Sequence, residues 1–147
     1  MTIMEIKKNK VRIVVATVAL TILVSVLIGY QMLLKKDEIH IAMVGPMTGG
    51  NAAVGKSFEQ GVRLYLDMIN QKGGIDEKKI VLDVFDDRND AKKANDMAMK
   101  IVEGNRAVAV IGHHYSACSI EAGKVYKNFE IPAVSPASTH VNVTKGN

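Results

Sequence analysis

Short apolar runs alternate with amphipathic helical patterns along most of the chain, and this alternation limits the possible folds more than any other feature. The runs have the length of β-strands, and each is followed by glycine, proline or a polar cluster. They cover residues 39–44, 80–85, 107–111 and 131–134. Strands separated by helices of roughly 10–15 residues form βαβ units with right-handed crossovers and a parallel sheet. The sequence therefore predicts an α/β fold that is Rossmann-like in the loose sense.

Three helical patterns connect the runs, and each has one apolar face that we expect to be buried. Glycines at 73–74 and at 104 follow the first two patterns and are typical of helix ends. The apolar faces are Phe58, Val62, Tyr65, Leu66 and Ile69; Ala94, Met97, Ala98, Ile101 and Val102; and Cys118, Ala122, Val125, Tyr126 and Phe129. Cys118 is the only cysteine, so no intrachain disulfide is possible, and its position on an apolar face predicts a core residue.

The loops that follow the four strands are polar or rich in glycine. Their sequences are G-P-M-T-G-G, D-D-R-N-D, G-H-H-Y-S and S-P-A-S-T. In a parallel sheet these loops share the carboxyl edge of the strands, where they meet helix N-termini and where ligands bind. We therefore expect the functional site at this edge.

An uncharged apolar run over residues 13–34 precedes the α/β pattern. It is long enough to cross a hydrocarbon core of about 30 Å, whereas the apolar part of a signal peptide has roughly 7–15 residues and precedes an A-x-A-like cleavage site. Four basic residues lie before the run, so the positive-inside rule places the residues after the run outside the membrane. The sequence predicts an uncleaved signal anchor within residues 1–36 and an external domain over residues 37–147. A cleaved signal peptide is the alternative.

The formal net charge of +4 comes from the N-terminal segment. The first 36 residues contain six basic and one acidic residues, and residues 37–147 contain 13 basic and 14 acidic residues. The external domain is close to neutral, so the basic balance of the whole chain does not indicate nucleic-acid binding. We expect no nucleic-acid partner.

Residues 50–57 match the G-x-x-x-x-G-K-[ST] pattern of a phosphate-binding P-loop. A P-loop follows its strand directly, because backbone amides and a helix N-terminus must converge on the phosphates. Here the first apolar run ends at Val44, and five residues separate it from Gly50. We therefore expect the glycines of the motif to shape a strand-to-helix turn and Lys56 to be solvated, with no nucleotide bound.

Two aspartates end the second strand, where an acidic cluster is able to bind a metal ion or accept a phosphoryl group. The simpler interpretation is that Asn89 or Asp90 caps the following helix while Asp86 and Asp87 are solvated. His40, in the middle of the first strand, is interpreted as a neutral residue on one face.

His113, His114 and Ser116 in the third loop suggest a hydrolase or a metal site. No G-x-S-x-G sequence surrounds the serine, and adjacent histidines on an extended loop diverge. An enzyme also needs a general base paired with Ser116, and the sequence identifies none. We expect no enzyme activity, no cofactor and no metal.

Four motifs follow one another in the domain: I-H-I-A-M-V-G-P-M-T-G-G, G-K-S-F-E-Q-G-V-R-L-Y-L-D-M-I-N-Q-K-G-G-I, V-I-G-H-H-Y-S and I-P-A-V-S-P-A-S-T. Together they resemble the leucine/isoleucine/valine-binding family, the type I periplasmic solute-binding proteins that supply ABC importers. The resemblance covers nearly all of residues 39–144. It implies two Rossmann-like lobes that close on a small ligand, of which residues 37–147 form the N-terminal lobe.

The resemblance also implies roles for four residues. Ser116 and Thr139 would hydrogen-bond the carboxylate of an amino acid, the carbonyl of Ala137 would accept its ammonium, and Ser138 would line the pocket. Val54 stands where amino-acid binders often carry an aromatic residue that covers the ligand, so the ligand class stays open. The implied partners are an amino acid or related small carboxylate, an ABC transporter permease, and the membrane through the N-terminal helix.

The chain ends at Asn147, before a second lobe, so we expect it to be an N-terminal fragment. Two functions remain open on the sequence: the solute-binding component of an ABC importer, and the extracellular sensing domain of a membrane signalling receptor, which uses the same fold and anchor. A second lobe and a stop after the present sequence favour transport. A second transmembrane helix and a cytoplasmic module favour sensing.

Overall fold

The computed structural model describes residues 16–18, 20–27 and 38–145 of the chain. The chain divides into two compact units, Met1–Lys36 and Asp37–Asn147. The described residues of the first unit are helical, and their apolar side chains are exposed.

Within the described residues, no helix combines the length and the apolar character that a membrane span requires. The predicted anchor covers residues 13–34, and much of it, at both ends and at residue 19, lies outside the described residues.

The second unit alternates strands and helices in the predicted order. The strands are β1 (Glu38–Gly45), β2 (Lys79–Asp86), β3 (Ala107–Ile111) and β4 (Ala133–Val134). The helices are α1 (Ala52–Gln71), α2 (Ala91–Gly104) and α3 (Ser116–Asn128), and a 3-10 turn follows at Val141–Val143.

The four strands form one parallel sheet in the order β2-β1-β3-β4. β1 pairs over its full length with β2, from Glu38 opposite Lys79 to Gly45 opposite Asp86. Parallel neighbours need a crossover connection between them, and the three helices supply it. The predicted α/β fold with a parallel sheet is confirmed.

Helices α2 and α3 pack on one face of the sheet and enclose the main core. Ala42 and Val44 of β1 are completely buried there, together with Ala94, Ala98 and Ala122 of the two helices. Because these helix side chains are small, the helices approach the sheet and each other closely. The predicted apolar face of α2 is therefore confirmed.

Helix α1 lies on the opposite face. Met43 points there, because side chains alternate along a strand, and it is fully buried, while Leu66 and Ile80 are nearly so. Asn70 ties the end of α1 to the outer strand: its amide donates to the Ile80 carbonyl and its Oδ1 accepts the Ile80 amide, both at 2.8 Å.

The structure differs from the expected element bounds mainly in the fourth strand, which was expected over residues 131–134 and begins only at Ala133. Pro132 has no N–H to donate, although its carbonyl accepts from Val110 at 2.9 Å. The Ile131 amide instead donates to the Tyr126 carbonyl at 3.0 Å, at the end of α3.

Two residues of the predicted apolar faces are exposed. Tyr65 is 65% exposed, on a side of α1 that no other described element covers, and Phe129 is 52% exposed because it follows the last turn of α3. Cys118 is 0% exposed, which confirms it as a core residue.

Candidate ligand-binding site

The loops at the carboxyl edge of the sheet are joined by hydrogen bonds, each loop to the next along the chain. Ser116 is the first residue of α3, so its hydroxyl lies at the positive end of the helix dipole. Its Oγ accepts the backbone amide of Thr139 at 3.2 Å and that of His140 at 3.3 Å. The structure thus brings together the two residues to which the family resemblance gives carboxylate recognition, although they are 23 residues apart.

Ala137 and Ser138 lie in the same loop but differ in environment. Ala137 is exposed, whereas Ser138 is half-buried and its hydroxyl lies 2.8 Å from the Ser119 hydroxyl. The amide of Ser138 donates to the Ser135 hydroxyl at 3.1 Å. The side chain of Ser138 therefore faces into the domain.

Asp86 holds the first loop in place. Its carboxylate accepts the amides of Met47 at 2.8 Å, Thr48 at 3.3 Å and Arg88 at 3.0 Å, and it also accepts the Thr48 hydroxyl. Burial acts to raise the pKa of Asp86, but these hydrogen bonds outweigh it and the pKa is lowered. Arg88 completes the link by donating Nε to the Thr48 hydroxyl at 2.9 Å.

The expectation that both aspartates are solvated is wrong for Asp87, which is 1% exposed. Its Oδ2 lies 2.7 Å from Nδ1 of His113, which is fully buried, and the other ring nitrogen of His113 lies 3.1 Å from the Tyr126 hydroxyl. Asp90 caps α2 as expected, by accepting the Lys93 amide at 2.9 Å.

The remaining histidines do not join this group. His114 turns away from His113 and packs its ring edge-on against Tyr115 at 4.9 Å between centroids. His40 lies in the first half of β1, where its Nδ1 contacts Asp83 at 2.8 Å and its Nε2 contacts Arg106 at 3.0 Å.

A cavity of about 300 Å³ lies behind the fourth loop, between that loop and α3. Its lining includes the hydroxyl residues Ser119, Ser135, Ser138 and Thr139, whereas Ser116 and Ala137 are not part of it. Among the described residues, no group of three or more histidine, cysteine, aspartate or glutamate side chains is arranged to hold a metal ion.

The P-loop pattern does not have P-loop geometry. Helix α1 begins at Ala52, so Gly55 and Lys56 lie inside the helix rather than at its start. The phosphate-facing amides of a P-loop therefore do not converge near Lys56, whose side chain is exposed.

Comparison with known proteins identifies the family. A family model described as periplasmic binding protein matches residues 38–147. The chain belongs to the periplasmic binding protein family. This family consists of periplasmic or extracellular proteins that bind ligands without catalysing a reaction, which confirms the expectation that the protein is not an enzyme.

Two related binding proteins are identical to this chain at a little over a third of the matched residues. The "Amino acid binding protein" of Pseudomonas aeruginosa is 37% identical over 108 residues, which cover 74% of this chain and 29% of that protein. The "Leucine-specific-binding protein" of Salmonella typhimurium is 37% identical over 109 residues, with the same shares of both chains.

A solved structure gives the same relationship. The branched-chain amino acid transporter substrate binding protein LivJ from Streptococcus pneumoniae, in complex with isoleucine, superposes with a TM-score of 0.71 and 29% identity. The match covers 75% of this chain and 32% of LivJ. The chain thus spans about a third of the length of the periplasmic binding proteins that it matches.

Proposed function

We propose that the protein binds an amino acid or a similar small carboxylate outside the membrane and supplies it to the permease of an ABC importer. The observation that carries this proposal is the convergence of the Ser116 hydroxyl with the amides of Thr139 and His140 at the start of α3. The relatives named as amino acid and leucine-specific binding proteins, and the isoleucine complex of LivJ, support an amino acid as the ligand.

The hydrogen bonds at this point suit an incoming carboxylate. The two amides now donate to a neutral hydroxyl at 3.2 and 3.3 Å, which is long for N–H···O bonds. A carboxylate is a stronger acceptor than a hydroxyl and gains from the helix dipole, so it takes over these amides. The Ser116 hydroxyl is then released from its role as acceptor and donates to the ligand.

The ammonium group of the ligand is bound by Ala137. Ala137 is exposed and lies two residues before Thr139 in the chain. Its carbonyl oxygen accepts a hydrogen bond from the ammonium of the amino acid. Ser138 supports the site from behind, because its hydroxyl is engaged with Ser119. Val54, in the first turn of α1, is 37% exposed and provides a smaller apolar surface for the ligand than an aromatic residue would.

The binding experiment is an NMR titration of the full chain in detergent micelles, because the method detects weak as well as tight binding. L-Leucine should shift the amide signals of Thr139 and His140, and leucine amide, which lacks the carboxylate, should not. Ser116→Ala removes the hydroxyl that donates to the ligand, and Thr139→Val keeps the backbone amide but removes the hydroxyl that the family resemblance also assigns to the carboxylate. Each variant should weaken binding about tenfold or more, since each loses a charge-assisted hydrogen bond of about 1.5–3 kcal/mol.

Ser57→Ala is the matched control, because it removes an exposed hydroxyl from α1 rather than from the third or fourth loop. Unchanged leucine affinity in both Ser116→Ala and Thr139→Val would move the site away from these loops. Equal shifts with leucine and leucine amide would contradict carboxylate recognition.

We also propose that residues 13–34 anchor the protein in the membrane with the second unit on the outer face. Two polar side chains in the described part of this segment are satisfied within the helix: Thr21 donates to the Val18 carbonyl and Ser25 to the Thr21 carbonyl, both at 2.8 Å. Such local bonding is what hydroxyls in lipid require. A reporter that works only outside the cytoplasm, fused after Asn147, should be active, and release of a chain without its apolar run would contradict the anchor.

A further inference from the structure

Three buried polar side chains lie directly behind the proposed site, and the recognition chemistry does not use them. Asp87, His113 and Tyr126 are 1%, 0% and 3% exposed. The carboxylate of Asp87 only accepts, so Nδ1 of His113 carries a proton toward it, at 2.7 Å. The Nε2 of His113 lies 3.1 Å from the Tyr126 hydroxyl. The imidazole is therefore held at both nitrogens.

The backbone carbonyl of His113 connects this group to the fourth loop. Ser135 donates its hydroxyl to the carbonyl at 2.7 Å, and Ser119 donates at 3.1 Å. A carbonyl oxygen has two lone pairs, so these two hydroxyls saturate it. Ser138 lies at 3.5 Å from the carbonyl and is held mainly through Ser119, at 2.8 Å.

Ser135 carries the connection to the proposed ligand contacts. Its Oγ accepts the amide of Ser138 at 3.1 Å while its hydroxyl donates to the His113 carbonyl. This pair of hydrogen bonds fixes the turn that presents Ala137 and Thr139 on either side of Ser138. The directions of the Ala137 carbonyl and the Thr139 amide therefore depend on the position of the His113 carbonyl.

The other end of the network is fixed to the sheet. The amide of Asp87 donates to the Gly45 carbonyl at the end of β1, at 3.1 Å. The second oxygen of Asp87 accepts the Asn89 amide at 2.9 Å. The network thus reaches from the ends of β1 and β2, through His113, to the loop after β4.

We propose that Asp87, His113 and Tyr126 are positioning residues for ligand binding, which lock the His113 carbonyl so that Ser119 and Ser135 hold the fourth loop in its binding conformation. The inference rests on the proposed function only in that the loop contacts the ligand. The three buried side chains touch no ligand and act through the loop.

The decisive variant is Ser135→Ala, because it removes one hydroxyl and leaves the buried side chains unchanged. Backbone order parameters of Thr139 and His140, measured by 15N relaxation on the full chain in micelles, should fall from about 0.85 to about 0.6 or lower. Hydrogen exchange of the Val44 amide, which reports opening of the core, should stay the same. Ser57→Ala should change neither measurement.

Two further variants test the buried residues themselves. Tyr126→Phe keeps the ring and removes only the hydroxyl that contacts Nε2, so the loop should loosen without loss of the core. His113→Asn keeps an N–H near the position of Nδ1 and should retain more loop order than His113→Leu, which keeps none. If His113→Leu does not fold, Tyr126→Phe and His113→Asn still provide the comparison.

L-Leucine affinity in the same samples separates the two proposals. The inference expects affinity to fall about tenfold in Ser135→Ala, in parallel with the loss of loop order. Unchanged order parameters in both Ser135→Ala and Tyr126→Phe would overturn the positioning role even if leucine binds. A loosened loop in a protein that never binds leucine would sustain the loop-holding role and count against the proposed function.

Discussion

Two glycines of α1 should respond in opposite directions to the same substitution. Gly55 is buried, and a Cβ added there would lie 2.2 Å from the carbonyl oxygen of Pro46 in the first loop. Gly61, in the same helix, is exposed, and an added Cβ would meet no atom within 4 Å. The pair separates helix propensity from packing, because both substitutions are glycine to alanine within one helix.

The expected magnitudes depend on these distances. Alanine is favoured over glycine in a helix interior by about 1 kcal/mol, so Gly61→Ala should raise the free energy of unfolding by up to that amount. At Gly55 the same gain is opposed by an overlap with a backbone atom, which has no rotamer to escape into. Ordinary contact begins at 3.4 Å, so the Pro46 carbonyl has to move by more than an ångström. Overpacking of this kind costs typically about 1–3 kcal/mol, and the overlap with a backbone atom puts Gly55 at the upper end of this range. After the helix gain of about 1 kcal/mol is subtracted, Gly55→Ala should destabilise by about 2 kcal/mol.

Thermal unfolding followed by circular dichroism checks both expectations. A change of about 1 kcal/mol shifts the melting temperature of a domain of this size by about 4–8 °C. Gly55→Ala should therefore lower the melting temperature by roughly 10 °C, and Gly61→Ala should raise it by a few degrees. An equal rise in both variants would show that α1 does not approach the first loop as closely as the structure has it.

Two further predictions concern ionisation and nucleotides. Burial, then the charges of Asp87 and Asp90, raise the pKa of Cys118 to about 12, and burial and Asp87 also raise the pKa of Tyr126. As the pH rises above about 9, both groups stay neutral in the folded state while they ionise in the unfolded state. The stability that they contribute is therefore fully present below about pH 9. It is lost as the pH rises toward 12, by up to about 1.4 kcal/mol per pH unit for each group. Melting temperatures of Cys118→Ala should decline less steeply from pH 8 to 11 than those of the unchanged protein, and identical slopes would contradict the buried thiol. Lys56→Ala should leave leucine binding and the melting temperature unchanged, whereas saturable ATP binding that this variant loses would contradict the exclusion of a P-loop.

The local elements were predictable because their signals are local. Apolar runs of strand length located β1, β2 and β3 to within a residue at each end, and the apolar periodicity of α2 identified its buried face. The fourth strand was overestimated, since Pro132 contributes apolar character to the run but no amide to the ladder. Tyr65 was placed on a buried face by spacing alone, and spacing does not say whether another element covers that face.

Site residues were predictable only where they belong to a motif of a known family. Ser116 and Thr139 were assigned from the resemblance to a known family, and the structure brings them together, but their role in ligand binding stays a prediction. Asp87 and His113 were not recognised as partners. The only available signal was that each follows a strand at the shared edge, and that signal does not distinguish a buried pair from two solvated side chains.

The sequence by itself determined the order of strands and helices, the ends of most elements and the parallel class of the sheet, because periodicity, glycine and proline act within a few residues of each other. Only the tertiary structure decided the strand order β2-β1-β3-β4 and, with it, which loops become neighbours. Asp87 and His113 are 26 residues apart, and His113 and Ser135 are 22 apart. Whether such groups meet depends on strand pairing and on the close approach of α2 and α3 through their alanines, so their burial and hydrogen bonds result from packing rather than from any local pattern.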